Sequence, residues 1–268
     1  MVFLKIFERL LNIDDISYKW GVRFMFFFCV IFRCAAFLNP YSDTDFTWLN
    51  AWMSNLEANV NDQGMVTVPF TTGNIVFLIM IFTALFITLM MGILYSGLYV
   101  RSFRIKKIEK EGPDVLFQDK PLPVGKILKR LILLSLFYLA VSIPFLLISS
   151  NLLLFFVLGF PMVFTAPCCY LSGDKGMFSS LGYVVRITRG FYLAHVRSLI
   201  ILVLTFFFVN ALSGLISFVS VTAFYILSAT FATWITFAFG RYAGMAYCAM
   251  REAHERPVTN TEKESKIG

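Results

Sequence analysis

Two long stretches of this chain, residues 131–173 and 199–240, carry no charged side chain at all. Each is about twice the ~20 apolar residues that cross a bilayer as one helix. A single helix of that length would protrude from the membrane, so each stretch reads as two helices joined by a tight turn. A soluble domain covers its surface with polar groups and has roughly 25% charged residues. Here only 15% of 268 residues are charged, while 58% are hydrophobic and 17% aromatic. The fold class that follows is all-α, a polytopic transmembrane helical bundle.

Further apolar segments near 20–37 and 75–100 bring the predicted spans to six. The others are 131–148, 152–171, 199–218 and 221–243. Residues 1–19 precede this membrane domain of residues 20–250, and 251–268 follow it as a polar, disordered tail. Phe3, Phe7, Leu10 and Leu11 share one face at helical spacing, which predicts a short interfacial helix over residues 2–13. A cleaved signal peptide fits less well, because Arg33 interrupts the apolar core late and the charged leader is long and amphipathic.

Orientation comes from the basic residues. Residues 34–100 contain no lysine or arginine, and their hydrophilic part, the loop 39–74, carries Asp43, Asp45, Glu57 and Asp62. The 23 basic residues lie almost entirely before the first span, in the loops 101–130 and 172–198, and from Arg241 onward. Basic residues accumulate on cytoplasmic flanks, so both termini are predicted in the cytoplasm and the acidic loop outside. The same placement assigns the net charge of +7 to membrane flanks. No nucleic acid is expected as a partner; the lipid bilayer is. Localisation is expected in the bacterial cytoplasmic (inner) membrane, multi-pass.

Clustered carboxylates, histidines or serines at membrane depth would signal hydrolysis or group transfer. No aspartate, glutamate or histidine falls inside a predicted span, and no P-loop, H-E-x-x-H or G-x-S-x-G pattern occurs. No catalytic residue, metal site or cofactor is therefore predicted, and the chain is expected not to be an enzyme. Its five cysteines lie in or next to spans, without a paired C-x-x-C signature. Cys168 and Cys169 are read as small packing residues.

A few polar and aromatic positions remain as candidate contacts. Arg33 is the one ionised group at membrane depth. Either it binds an anion or lipid phosphate, or it snorkels to the outer headgroups, and snorkelling is favoured. In the outer loop, Leu49, Trp52, Met53 and Leu56 follow helical spacing, with Trp48 and Phe46 beside them. An interfacial helix anchored by aromatics explains this, and a lid over a ligand uses the same residues. Asn210 suits an interhelical hydrogen bond more than a substrate contact. Arg186 and Arg189, on a predicted amphipathic helix ending near Gly190, are placed to meet anionic headgroups or an acidic cytoplasmic partner.

The segments Gly97-Leu-Tyr-Val-Arg-Ser-Phe103 and Asp174 to Gly190, the latter with Ser179-Ser180-Leu181 and Arg189-Gly190, resemble a group of bacterial integral membrane proteins. The group includes the membrane domain ahead of some glycerophosphodiester phosphodiesterases and related stand-alone proteins. The resemblance implies a similar topology over most of the chain. No phosphodiesterase domain is present in this sequence, so no catalytic residue carries over.

Three functions are weighed. The first is a non-catalytic, transporter-associated or envelope-maintenance protein, in its sharper form the permease subunit of an exporter driven by a separate cytoplasmic ATPase subunit. A homo-oligomer is the other partner expected. The second is an immunity or resistance protein that meets a membrane-active peptide or toxin through Trp48 and Trp52. The third is a lipid-handling enzyme using Arg33.

Overall fold

The apolar runs become helices. A computed structural model describes residues 12–54, 70–111, 121–146 and 165–255, and among these every regular element is helical. In order they are α1 (Lys19–Leu38), α2 (Trp48–Ser54), α3 (Thr72–Glu111), α4 (Val124–Leu146), α5 (Met177–Thr188), α6 (Tyr192–Ile216) and α7 (Val221–Glu255). Residues 165–172 are also helical. Four helices, α1, α3, α6 and α7, are long and apolar enough to cross a membrane. The predicted turn between the third and fourth spans falls in 147–164, outside the described residues. So do most of the predicted interfacial helix at 2–13 and the chain after residue 255.

The paired helices α3 and α7 form the centre, with α1 packed against both. Two glycines let them meet. A Cβ on Gly240 would stand 2.3 Å from the carbonyl oxygen of Gly92, so only hydrogen fits there. One turn on, a Cβ on Gly244 would stand 3.2 Å from the Ser96 carbonyl oxygen. Gly240-x-x-x-Gly244 against Gly92-x-x-x-Ser96 is small-residue packing of the kind that holds membrane helices close without a hydrophobic driving force. Phe237 then fills the junction of all three helices, edge-on to Phe26 of α1 and 5.5 Å from the ring of Tyr95. On the periphery, α4 lies on α3, and α6 and α5 lie on α7.

Several helix ends differ from the predicted spans. At 40 residues, α3 is ~60 Å long and runs on through Arg101–Glu111, part of the segment read as a loop. The 35 residues of α7 carry it to Glu255, so the predicted disordered tail is helical over its first residues, from Arg251. Likewise α4 and α6 begin before their uncharged cores, at Val124 and Tyr192. The reason is that a charge ends a bilayer crossing but not a helix, since Arg, Lys and Glu are good helix formers. As predicted, α5 stops near Gly190, which adopts the left-handed conformation (φ 95°) common just beyond a helix C-terminus.

Candidate functional site

Arg33 sits on α1 with its side chain turned between α3 and α7. It is only 9% exposed, its Nε is buried without a hydrogen-bond partner, and it makes no ion pair among the described residues. Snorkelling would leave the guanidinium at the surface, whereas here it lines a groove of about 370 Å³. The groove's other walls are largely apolar, with Phe37, Ile81, Leu85, Ile235 and Phe239. Arg33 lies ~21 Å along the helix from Lys19 and ~9 Å before Asn39, the first polar residue beyond α1. A site that keeps this charge buried and, among the described residues, without an ion-pair partner suits an anion.

One side of the groove is open. Leu85 lines it and is 43% exposed, and Phe82 and Ile79 beside it on α3 are also exposed, so the opening faces the outer surface of the helical bundle. The Thr236 hydroxyl in the wall already donates to the Ala232 carbonyl. Arg33, with five N–H donors, is the strongest polar group facing the space.

An aromatic chain links the groove to the acidic loop. Phe37 stacks on Tyr225 at 4.7 Å and meets Phe77 at 5.6 Å; Phe77 meets Phe46 at 6.0 Å, and Phe46 meets Trp48 at 6.3 Å. Trp48 is half-buried, edge-on to Phe70 at 5.4 Å, and its indole Nε1 is buried without an acceptor among the described residues. Trp52, on the same short helix, is also half-buried. Fully buried Asn74 ties the loop down by donating to the Asp43 and Asp45 carbonyls at 3.0 and 3.2 Å. Arg33 and Trp48 are thus joined through rings rather than by direct contact.

The opposite, basic end holds a second polar centre that the sequence reading missed. Asp174, its side chain 6% exposed, places Oδ2 2.5 Å from Arg104 of α3 and 2.6 Å from Arg251 of α7. The same oxygen accepts hydrogen bonds from Ser172 and from Tyr247. Burial alone would raise the Asp174 pKa, but Arg104, the Tyr247 hydroxyl, Arg251 and Ser172 together outweigh it and hold the carboxyl below its ordinary value. Beside this knot, Asp15 accepts from Arg241 and Lys106, both at 3.0 Å, while Arg241 also donates to the Asn12 carbonyl. Burial opposes ionisation of Asp15 too, and its hydrogen bonds to Lys106 and Arg241 again leave the pKa lowered. Lys107 pairs with Glu252. These bonds clamp α3, α7, the chain around 172–174 and the segment ahead of α1 into one end-plate. From the sequence, Arg104, Arg241 and Arg251 read as ordinary flanking charges, because a count of basic residues does not reveal burial.

Arg186 and Arg189 are exposed at the end of α5, apart from the Arg33 groove. Asn210 lies on α6, but its side chain is outside the described residues. All five cysteines are free, and Cys168 and Cys169 are buried. Among the described residues, no three of His, Cys, Asp and Glu gather as metal ligands would. Comparison with known protein families, curated proteins and solved structures finds no match to this chain.

Proposed function

We propose that the protein is a non-catalytic, multi-pass component of the bacterial cytoplasmic membrane, with six spans and both termini in the cytoplasm. In this reading it takes a ligand from the bilayer into the groove between α1, α3 and α7, as part of transport or envelope maintenance. The observation that carries the reading is a bundle-lined groove, open toward the lipid-facing surface and holding a buried arginine that has no ion-pair partner among the described residues. Six spans are supported by the four long apolar helices together with the uncharged run 131–173, whose flanks are helical up to 146 and from 165. The basic end-plate fits a cytoplasmic face.

A membrane-soluble, uncharged photoreactive fatty alcohol tests this use of the groove. Ile81, Leu85 and Ile235 are expected to be labelled in a way that excess unlabelled lipid saturates. Outward-facing Phe24 and Phe27 are expected to be labelled without saturation. Non-saturable labelling at all five positions would contradict the proposal.

The ATPase-coupled version requires Met177–Gly190 to face a soluble subunit. What supports a lipid-facing place for α5 is its exposed row of Phe178, Leu181 and Val185, with Phe178 edge-on at 6.0 Å to Phe137, inside the apolar part of α4. Arg186 and Arg189 then serve as headgroup contacts. Packing of Trp48 within an aromatic cluster likewise supports a structural anchor over a toxin-binding surface.

A further inference from the structure

The ligand class of the groove can be inferred from its chemistry, and the inference rests on the proposed use of that groove. We propose that the occupant is an anionic phospholipid of the outer half of the bilayer, with its phosphate against Arg33 and part of one acyl chain along Phe37, Leu85 and Ile235.

Three observations converge on this occupant. The first is charge: Arg33 is more than nine-tenths buried, has no ion-pair partner among the described residues and lines the groove. A guanidinium presents a planar fork that matches two phosphate oxygens at once, and it stays charged inside protein. The second is the wall. Apart from Arg33, Ser228 and Thr236, the lining is apolar, which a small hydrated anion would gain nothing from and an acyl chain would. The third is access. Exposed Leu85, with Phe82 and Ile79 beside it, puts the opening on the flank of a long apolar helix, so an occupant enters from among lipid chains.

Depth and size agree with this. Arg33 is ~9 Å of helix from Asn39 and ~21 Å from Lys19, which places it in the half of the span away from the basic end. The 370 Å³ lies near the lower end of the roughly 300–1,000 Å³ typical of ligand cavities. That suits one chain segment with its headgroup contact and leaves the rest of the lipid in the bilayer.

The test uses the full-length protein in nanodiscs of mixed phosphatidylglycerol and phosphatidylcholine, and counts lipids retained after delipidation by native mass spectrometry. The wild type is expected to keep one phosphatidylglycerol selectively, and Arg33→Gln to lose that selectivity by about tenfold or more, as loss of a buried charge-assisted contact predicts. Arg186→Gln/Arg189→Gln is expected to keep it, which separates the groove from headgroup binding at the basic end. Ala232→Phe fills the groove while leaving Arg33 in place, so it is expected to lose the lipid even if Arg33→Gln fails to fold. Unchanged retention in Ala232→Phe, or in a folded Arg33→Gln, overturns the inference; so does displacement of the lipid by inorganic phosphate. If Arg33→Gln keeps its saturable fatty-alcohol labelling and the selectivity of the wild type, the phosphate assignment fails while the groove's proposed function stands. Absence of saturable labelling in the wild type removes both.

Discussion

At the scale of single residues, two arginine environments set the chemistry. Arg104 and Arg251 are buried but both reach the Asp174 carboxylate, so each has an anionic partner. Removing one member of a buried ion pair typically costs 3–5 kcal/mol, because the remaining charge stays desolvated and alone. Asp174→Asn is therefore expected to destabilise the protein by roughly 3–5 kcal/mol in thermal unfolding in detergent micelles. Asp14→Asn, which breaks an exposed pair with Arg23, is expected to leave the melting temperature unchanged. The pH dependence has a definite sign. A carboxyl held below its ordinary value when folded contributes stability that is fully present above its unfolded pKa, near 3.8, and is lost as pH falls through the lower folded value. The melting temperature is thus expected to be insensitive to Asp174 between about pH 8 and pH 5, and to fall only below about pH 4. Asp174→Asn should flatten part of that acid limb; an unaltered limb would assign it to other carboxylates. Arg33 has no such partner among the described residues, and that difference singles it out. From sequence its place late in an apolar run was legible. Its burial was not, because whether an arginine turns inward or snorkels depends on which helices stand beside it.

At the scale of elements, hydropathy located α1, α3, α6 and α7 but misjudged how far they run. Uncharged length reports the thickness of the bilayer, whereas helices continue as long as their backbone is satisfied and their side chains allow. The crossing of α3 and α7 rests on glycine rather than on large apolar residues, and Gly240-x-x-x-Gly244 was the available signal for it. Gly240→Leu is expected to prise the two helices apart and abolish the folded state, since even a Cβ would stand 2.3 Å from the Gly92 carbonyl oxygen. In contrast, Gly182 in the middle of α5 has nothing within 4 Å of an added Cβ. Gly182→Ala is expected to stabilise that helix by about 0.5–1 kcal/mol through lost backbone entropy in the unfolded chain. Measuring both substitutions by thermal unfolding separates a packing glycine from a permissive one; equal effects would contradict the crossing geometry.

At the scale of the whole molecule, the protein divides into a basic end-plate of interlocked charges and an apolar body with an arginine-lined groove toward its other end. In the orientation proposed above, the end-plate faces the cytoplasm. In a background without native cysteines, Ser54→Cys is then expected to react with a membrane-impermeant maleimide on intact cells, and Ser179→Cys only after permeabilisation; both residues are exposed. The reverse pattern would invert the orientation. The helical character of the described residues and the presence of helices apolar enough to cross a membrane could be read from the hydropathy, but the groove could not, because its walls come from α1, α3 and α7 and no local pattern in any one of them encodes it. The most direct test of its role is an experimental structure of the full chain by cryo-electron microscopy in nanodiscs of native lipid. Elongated density is expected between α1, α3 and α7, ending within hydrogen-bond distance of the Arg33 guanidinium. An empty groove with Arg33 extended to the outer headgroups, or paired with a carboxylate of the 55–69 segment, would contradict it.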